Sequence, residues 1–214
     1  MSRWTAENVY GTAKQGLRAR AAAVASERAR QRRHEQLFAL TGVTPEHRIL
    51  DLGCGRLGLR RHEPDLDITG VDRVQRPDYP GPFVRANVLD GLPFEDHAFD
   101  LAYCSSVIEH VAPQDRSVFA RELRRVARGW FVQTPAFSFP LEPHALLPIA
   151  HWLPPALRRP YWRLGVAGEW EDIALLRYAE MTALFGPPLA ERMGPLVKSW
   201  ISVRAARTPS GIDH

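Results

Sequence analysis

Between Arg48 and Asp72 the chain passes from one apolar stretch, Arg48-Ile49-Leu50-Asp51-Leu52, through Gly53-Cys54-Gly55-Arg56-Leu57-Gly58 to a second, Asp67-Ile68-Thr69-Gly70-Val71-Asp72. No other segment limits the fold as much. Short apolar runs bounded by turn residues read as strands buried on both faces, and two of them joined by a crossover read as the start of a parallel sheet. The interval between them admits a short helix at most, so the crossover is trimmed.

The same rhythm continues downstream. Residues 83–86 predict a short third strand, 99–104 a fourth, 115–126 an amphipathic helix and 130–133 a fifth strand. Strands alternating with helices imply an α/β fold with a doubly wound, mostly parallel sheet covered on both faces, seven strands in all. Upstream, residues 11–40 lack proline, are rich in Ala, Arg and Glu and end near Gly42, the pattern of a long helix with its C-cap. Residues 135–175 depart from the rhythm: Pro140, Pro143, Pro148, Pro154, Pro155 and Pro160 interrupt long helices while Phe137, Phe139, Trp152, Tyr161 and Trp162 keep the apolar area high. We read this segment as a cap inserted after strand five. A helix over 178–185, a break at Gly186-Pro187-Pro188 and an antiparallel hairpin over 189–193 and 197–203 close the chain. The division expected is a helical segment over 1–42, a domain over 43–206 that includes the cap, and a loose tail over 207–214.

Composition narrows the class. The 214 residues suffice for one core without disulfides or a structural metal. No apolar run approaches the roughly 18 residues of a membrane span, and Met1-Ser2-Arg3-Trp4 does not open a signal-type apolar region, so a cytoplasmic protein with no membrane span is expected. Cys54 and Cys104 form neither a disulfide framework nor a zinc spacing and read as small buried thiols. The formal charge is +4, with Arg18, Arg20, Arg28, Arg30, Arg32 and Arg33 on the first helix. That cluster reads as a solvated face, and no nucleic-acid partner is expected. The sequence leaves the oligomeric state open.

The glycine turn satisfies G-x-G-x-x-G, with an acid, Asp72, about 20 residues on, where it would meet a ribose. That pattern suits a dinucleotide and S-adenosylmethionine alike, since both need backbone without Cβ near the ligand and a carboxylate for ribose hydroxyls. Asp51 separates them. A carboxylate two residues before the first glycine repels a pyrophosphate but attracts the ammonium and sulfonium of the methyl donor. An NAD(P)-dependent oxidoreductase is therefore the weaker reading.

At this point the chain resembles the class I S-adenosylmethionine-dependent methyltransferases. The resemblance extends to Leu92-Pro93-Phe94-Glu95-Asp96-His97-Ala98-Phe99-Asp100-Leu101, similar to the family's segment before strand four, and to Ser105-Ser106-Val107-Ile108-Glu109-His110-Val111, similar to the segment after it. It implies a Rossmann-like methyltransferase fold, with Asp51, Gly53, Cys54 and Gly55 at the methionine end of the donor, Asp72 and Arg73 at the ribose, Asn87 and Val88 at the adenine, and Ser105 at the end of strand four. Asp90 is an alternative to Asn87. Asp100, which precedes a strand, reads as structural.

Methyl transfer needs alignment and, for a hydroxyl acceptor, a base. His144, in Phe139-Pro140-Leu141-Glu142-Pro143-His144, ranks first and His110 second, because the loops after strands four and five open at the carboxyl edge of the sheet. Glu109 and Glu142 are the neighbouring acids. Glu109-His110 resembles a stretch of some quinone-biosynthesis methyltransferases that carry a further acid where this chain has Ser106, so no required metal is expected. The aromatic cap favours a small-molecule or glycan-like acceptor. A non-catalytic protein of the same fold is the alternative from another class; a nucleic-acid methylase is disfavoured by Cys104-Ser105-Ser106-Val107 after strand four.

Overall fold

The computed structural model describes residues 31–56, 58–166 and 173–206. The expected helix over 11–40 lies partly outside them; residues 31–41 are helical and stop at Gly42, whose φ of +66° and N–H to Phe38 O form a left-handed cap. The expected tail over 207–214 also lies outside.

Nine strands follow among the described residues: β1 (Arg48–Leu52), β2 (Asp67–Asp72), β3 (Phe83–Arg85), β4 (Phe99–Ser105), β5 (Ala127–Pro135), β6 (Leu141–Glu142), β7 (Leu147–Pro148), β8 (Leu189–Met193) and β9 (Leu196–Arg204). Among the described residues three further α-helices follow the helix of residues 31–41: α1 (Arg116–Val126), α2 (Pro155–Trp162) and α3 (Tyr178–Phe185). Seven strands form one sheet in the order β3-β2-β1-β4-β5-β9-β8. The pairs β1·β2, β1·β4, β2·β3 and β4·β5 are parallel, and β9 enters antiparallel beside β5. The sheet therefore winds outward from β1 to β3, then reverses to β4 on the other side of β1. Such a reversal leaves a crevice beyond the carboxyl ends of the two strands at the switch. Here those strands are β1 and β4.

Strand alternation assigns each side chain to a layer. Ile49, Ile68, Leu101, Tyr103 and Phe131 pack with Leu37 of the first helix on one face, while Leu50, Leu52, Ala102, Cys104 and Val132 meet Phe119, Leu123 and Phe185 on the other. Helix α1 earns its place through Phe119, Ala120, Leu123 and Val126, buried at helical spacing. Among the described residues between β1 and β2, a three-residue 3-10 turn, Leu59–Arg61, stands where a crossover helix usually lies.

The cap has its own small core of Ala145, Leu147, Ala150, Trp162, Ile173 and Leu175. It carries the two-stranded β6·β7 ladder and the short helix α2, which accommodates Pro160. Its ends meet at an Ala136–Leu176 bridge beside the carboxyl end of β5. Among the described residues no helix is long and apolar enough to cross a membrane.

Candidate active site

Beyond β1 the chain turns on Gly53 and Gly55, at φ +73° and +61°. A Cβ on Gly53 would lie 2.4 Å from Val107 Cγ2, so the loop's backbone packs directly on the turn that follows β4. The N–H groups of Gly53 and Cys54 both donate to Val71 O, tying the loop to β2.

Asp72 ends β2. Its Oδ2 accepts from Gly55 N and Arg76 Nε, each at 3.1 Å, and its Oδ1 from Val74 N at 2.9 Å. A carboxylate has roughly four lone-pair directions, so one remains on Oδ1. Asp51 is 3% exposed, with Oδ2 accepting from Leu59 N at 2.7 Å. Only glycine fits at position 58, because a Cβ there would lie 2.2 Å from that oxygen. Burial, together with the Asp72 charge, raises Asp51 to about 7 against the lowering effects of Leu59 N–H and the Tyr79 hydroxyl. Tyr79 itself is buried over Gly70, where a Cβ would come 2.5 Å from its Cζ.

The other sequence-derived positions take varied environments. Arg73 is exposed, and Arg76 takes the place beside Asp72. Asn87 caps the 3-10 turn Val88–Asp90 through Leu89 N and donates from Nδ2 to Asp90 Oδ2 at 3.0 Å, so the two alternatives for one role are bonded to each other. Val88 is buried in the core. Ser105 Oγ donates to Gln133 Oε1 at 2.8 Å. Cys54 and Cys104 are both buried, and burial pushes both thiols up. Asp100 accepts from Arg48 N across the sheet, the structural part expected of it. Sequence reasoning missed Arg76 and Tyr79: no local pattern marks either, since each is brought to an acid by the path of the loop after β2.

Glu109 and His110 lie on the 3-10 turn Ile108–His110 just past β4. Glu109 is fully buried; its Oε2 accepts from Thr134 Oγ1 at 2.9 Å, while Oε1 has no hydrogen-bond partner. His144 stands in the β6–β7 turn with its side chain 6% exposed, Nδ1 2.8 Å from Glu142 Oε1 and Nε2 3.9 Å from Glu109 Oε1. Glu142 is held in turn by Ala145 N. The His110 and His144 rings meet edge to face at 5.1 Å. The two histidines singled out in the sequence are thus neighbours, and Val107, on the same post-β4 segment as His110, touches the glycine loop.

Residues 50–132 match the family model described as a methyltransferase domain. A probable methyltransferase, ltbC, of Aspergillus luteorubrus is 26% identical over 49% of this chain, which spans about half of that relative's length, 45%. Among solved structures, a protein of Pyrococcus horikoshii OT3 is similar with a TM-score of 0.58 at 16% identity, covering 96% of this chain and 97% of that one. The 1,6-didemethyltoxoflavin N1-methyltransferase of Burkholderia thailandensis, solved with that acceptor and S-adenosylhomocysteine bound, gives 0.50 at 13% identity over 89% and 90%. These identities show a shared fold. The matched segment runs from β1 into β5, across the reversal of strand order at β1 and β4 and the acid-glycine corner that lies there, so within residues 50–132 the chain is similar to a methyltransferase domain.

Proposed function

We propose that the protein transfers a methyl group from S-adenosylmethionine to a hydroxyl of a small-molecule or glycan-like acceptor, in the cytoplasm. The observation that carries the reading is the corner made by Asp51, Gly53, Gly55 and Asp72 at the switch point. A side chain at Gly53 has no room, Asp72 keeps one lone-pair direction, and Asp51 is a buried carboxyl held near neutral pH. That corner fits a cationic, diol-bearing ligand and disfavours a pyrophosphate.

When bound, the donor supplies an electrophilic methyl on a sulfonium. In this reading Asp51 attracts the ammonium, the Gly53–Cys54–Gly55 backbone lies along the methionine end, and Asp72 accepts from the ribose with Arg76 holding it in place. Val88 forms an apolar wall at the adenine beside Asn87, whose side chain is occupied with its cap. Arg73 lies at the outer rim and Ser105, braced on Gln133, closes the β4 side.

For the acceptor, Glu142 holds His144 Nδ1 as the protonated nitrogen, leaving Nε2 to take the hydroxyl proton. His110 buttresses that ring. The aromatic cap, in which Trp152 Nε1 and His151 Nε2 both meet Phe137 O, supplies the walls for a flat or sugar-like ligand.

Calorimetry tests the donor half: the protein should bind S-adenosylmethionine and S-adenosylhomocysteine and not NAD(H). Tighter binding of NAD(H) than of either sulfur compound overturns the reading. For the acceptor half, His144→Ala should keep donor affinity and lower turnover of an identified hydroxyl acceptor by about 10²-fold. Wild-type turnover in a folded mutant that still binds donor removes His144 as the base.

A further inference from the structure

The corner shared by Glu109, His110 and His144 has a chemistry that methyl transfer does not use. One ligand atom from each of the three lies within 4.8 Å of the other two. Ligands held at about 2.0–2.2 Å from a common ion stand roughly 3–4 Å apart, so little closure is needed. Glu109 Oε1 is fully buried and lacks a hydrogen-bond partner, and it is turned toward His144 Nε2 at 3.9 Å. His144 Nδ1 bonds Glu142 Oε1 at 2.8 Å, and this holds the ring with Nε2 turned to Glu109 Oε1. A histidine whose other nitrogen is held by a carboxylate is also the usual outer arrangement of a metal ligand.

We propose that Glu109, His110 and His144 form a binding site for a divalent transition-metal ion of the zinc type. One carboxylate oxygen with two imidazole nitrogens suits Zn²⁺ or Co²⁺; Mg²⁺ prefers an all-oxygen shell. The third ligand comes from the cap and not from the position of Ser106, so no spacing within 105–111 reveals the site. The ion fastens the β6–β7 turn to the turn after β4 and so closes the cap on the sheet. It also occupies the nitrogen assigned above to the acceptor's proton, so loading it silences turnover. This proposal concerns binding and stands apart from the donor reading.

The test is calorimetric titration of the chelator-stripped full chain with ZnCl₂, with MgCl₂ as comparison and CoCl₂ for its visible absorption. One Zn²⁺ per chain is expected, with no matching Mg²⁺ binding. His110→Ala and Glu109→Gln should each weaken Zn²⁺ at least 10-fold and remove the cobalt band. No stoichiometric Zn²⁺ binding, or binding and a cobalt band indifferent to these substitutions, overturns the proposal. Should Glu109→Gln fail to fold, His110→Ala, at a half-buried ring, decides alone. Because no donor is present in the titration, failure here and failure to bind S-adenosylmethionine are separate results.

Discussion

At the scale of single residues, Asp51 joins stability to the proposed donor binding through one proton. Its folded-state value of about 7 lies above the ordinary 3.8, so the unfolded chain ionises first as pH rises. Stability is therefore full below about pH 4 and falls until about pH 7, by an amount on the order of 4 kcal/mol. A bound ammonium favours the ionised form, so affinity for S-adenosylhomocysteine should rise between pH 5.5 and 7.5 in calorimetric titrations. Asp51→Asn should flatten that profile, weaken binding and raise the melting temperature of the ligand-free protein at pH 7.5. A wild-type affinity independent of pH over this range would sink the assignment. Gly53 gives a second case: Gly53→Ala meets both a φ of +73° and the methyls of Val107, so lowered stability and lost donor binding are expected. Adding Val107→Ala should return part of the stability by differential scanning calorimetry, since it relieves the contact and leaves the backbone strain. Asp51 and the glycines are legible in the sequence because their pattern is contiguous. Tyr79 and the orphaned Glu109 oxygen are not, because each gains its meaning from a residue elsewhere in the chain, and Arg76 is not because it meets Asp72 only through the path of the loop after β2.

Among the elements, the end of the cap depends on an arginine of helix α1. Arg116, at the first position of α1, is 2% exposed; it donates to Glu180 of α3 at 2.5 Å, to Val111 O at 3.0 Å and to Ala174 O. One guanidinium thus joins α1, α3, the turn after β4 and the last residues of the cap. Arg116→Ala should cost about 2–4 kcal/mol in denaturant titration, chiefly from leaving two carbonyls and a partly screened carboxylate without their donor. A change below about 1 kcal/mol would show that the cap is held by its apolar contacts instead. Element types follow the sequence closely: α3 spans Tyr178–Phe185 as the helical pattern predicts, and the closing hairpin appears as β8 and β9. Strand ends do not, since β5 runs from Ala127 to Pro135, well beyond residues 130–133. Its outer residues are extended by pairing with β4 and β9, a contact that no local propensity reports.

Over the whole molecule, the reversal of strand order at β1 and β4 gathers residues 51–55, 72, 105–110, 133–134 and 142–144 at one edge of the sheet. A ligand that binds there only in the folded state stabilises it by mass action, about 2.7 kcal/mol at a hundredfold excess over Kd. S-adenosylhomocysteine should accordingly raise the melting temperature, and NADH should not. His144→Ala should show the same gain if that histidine serves the acceptor side as proposed; loss of the gain would move His144 to the donor. What the sequence by itself determined is whatever depends on neighbours in the chain: the strands as apolar runs, the trimmed crossover, the acid-glycine corner and the break in pattern that marks the cap. These come from backbone sterics and burial, which act over a few residues. The tertiary structure alone decided that Asp51 is buried against Gly58 and Leu59 and that His144 meets Glu109 and His110. Those outcomes depend on distances between residues brought together by strand pairing and by the folding back of the cap, and no periodicity along the chain encodes such distances.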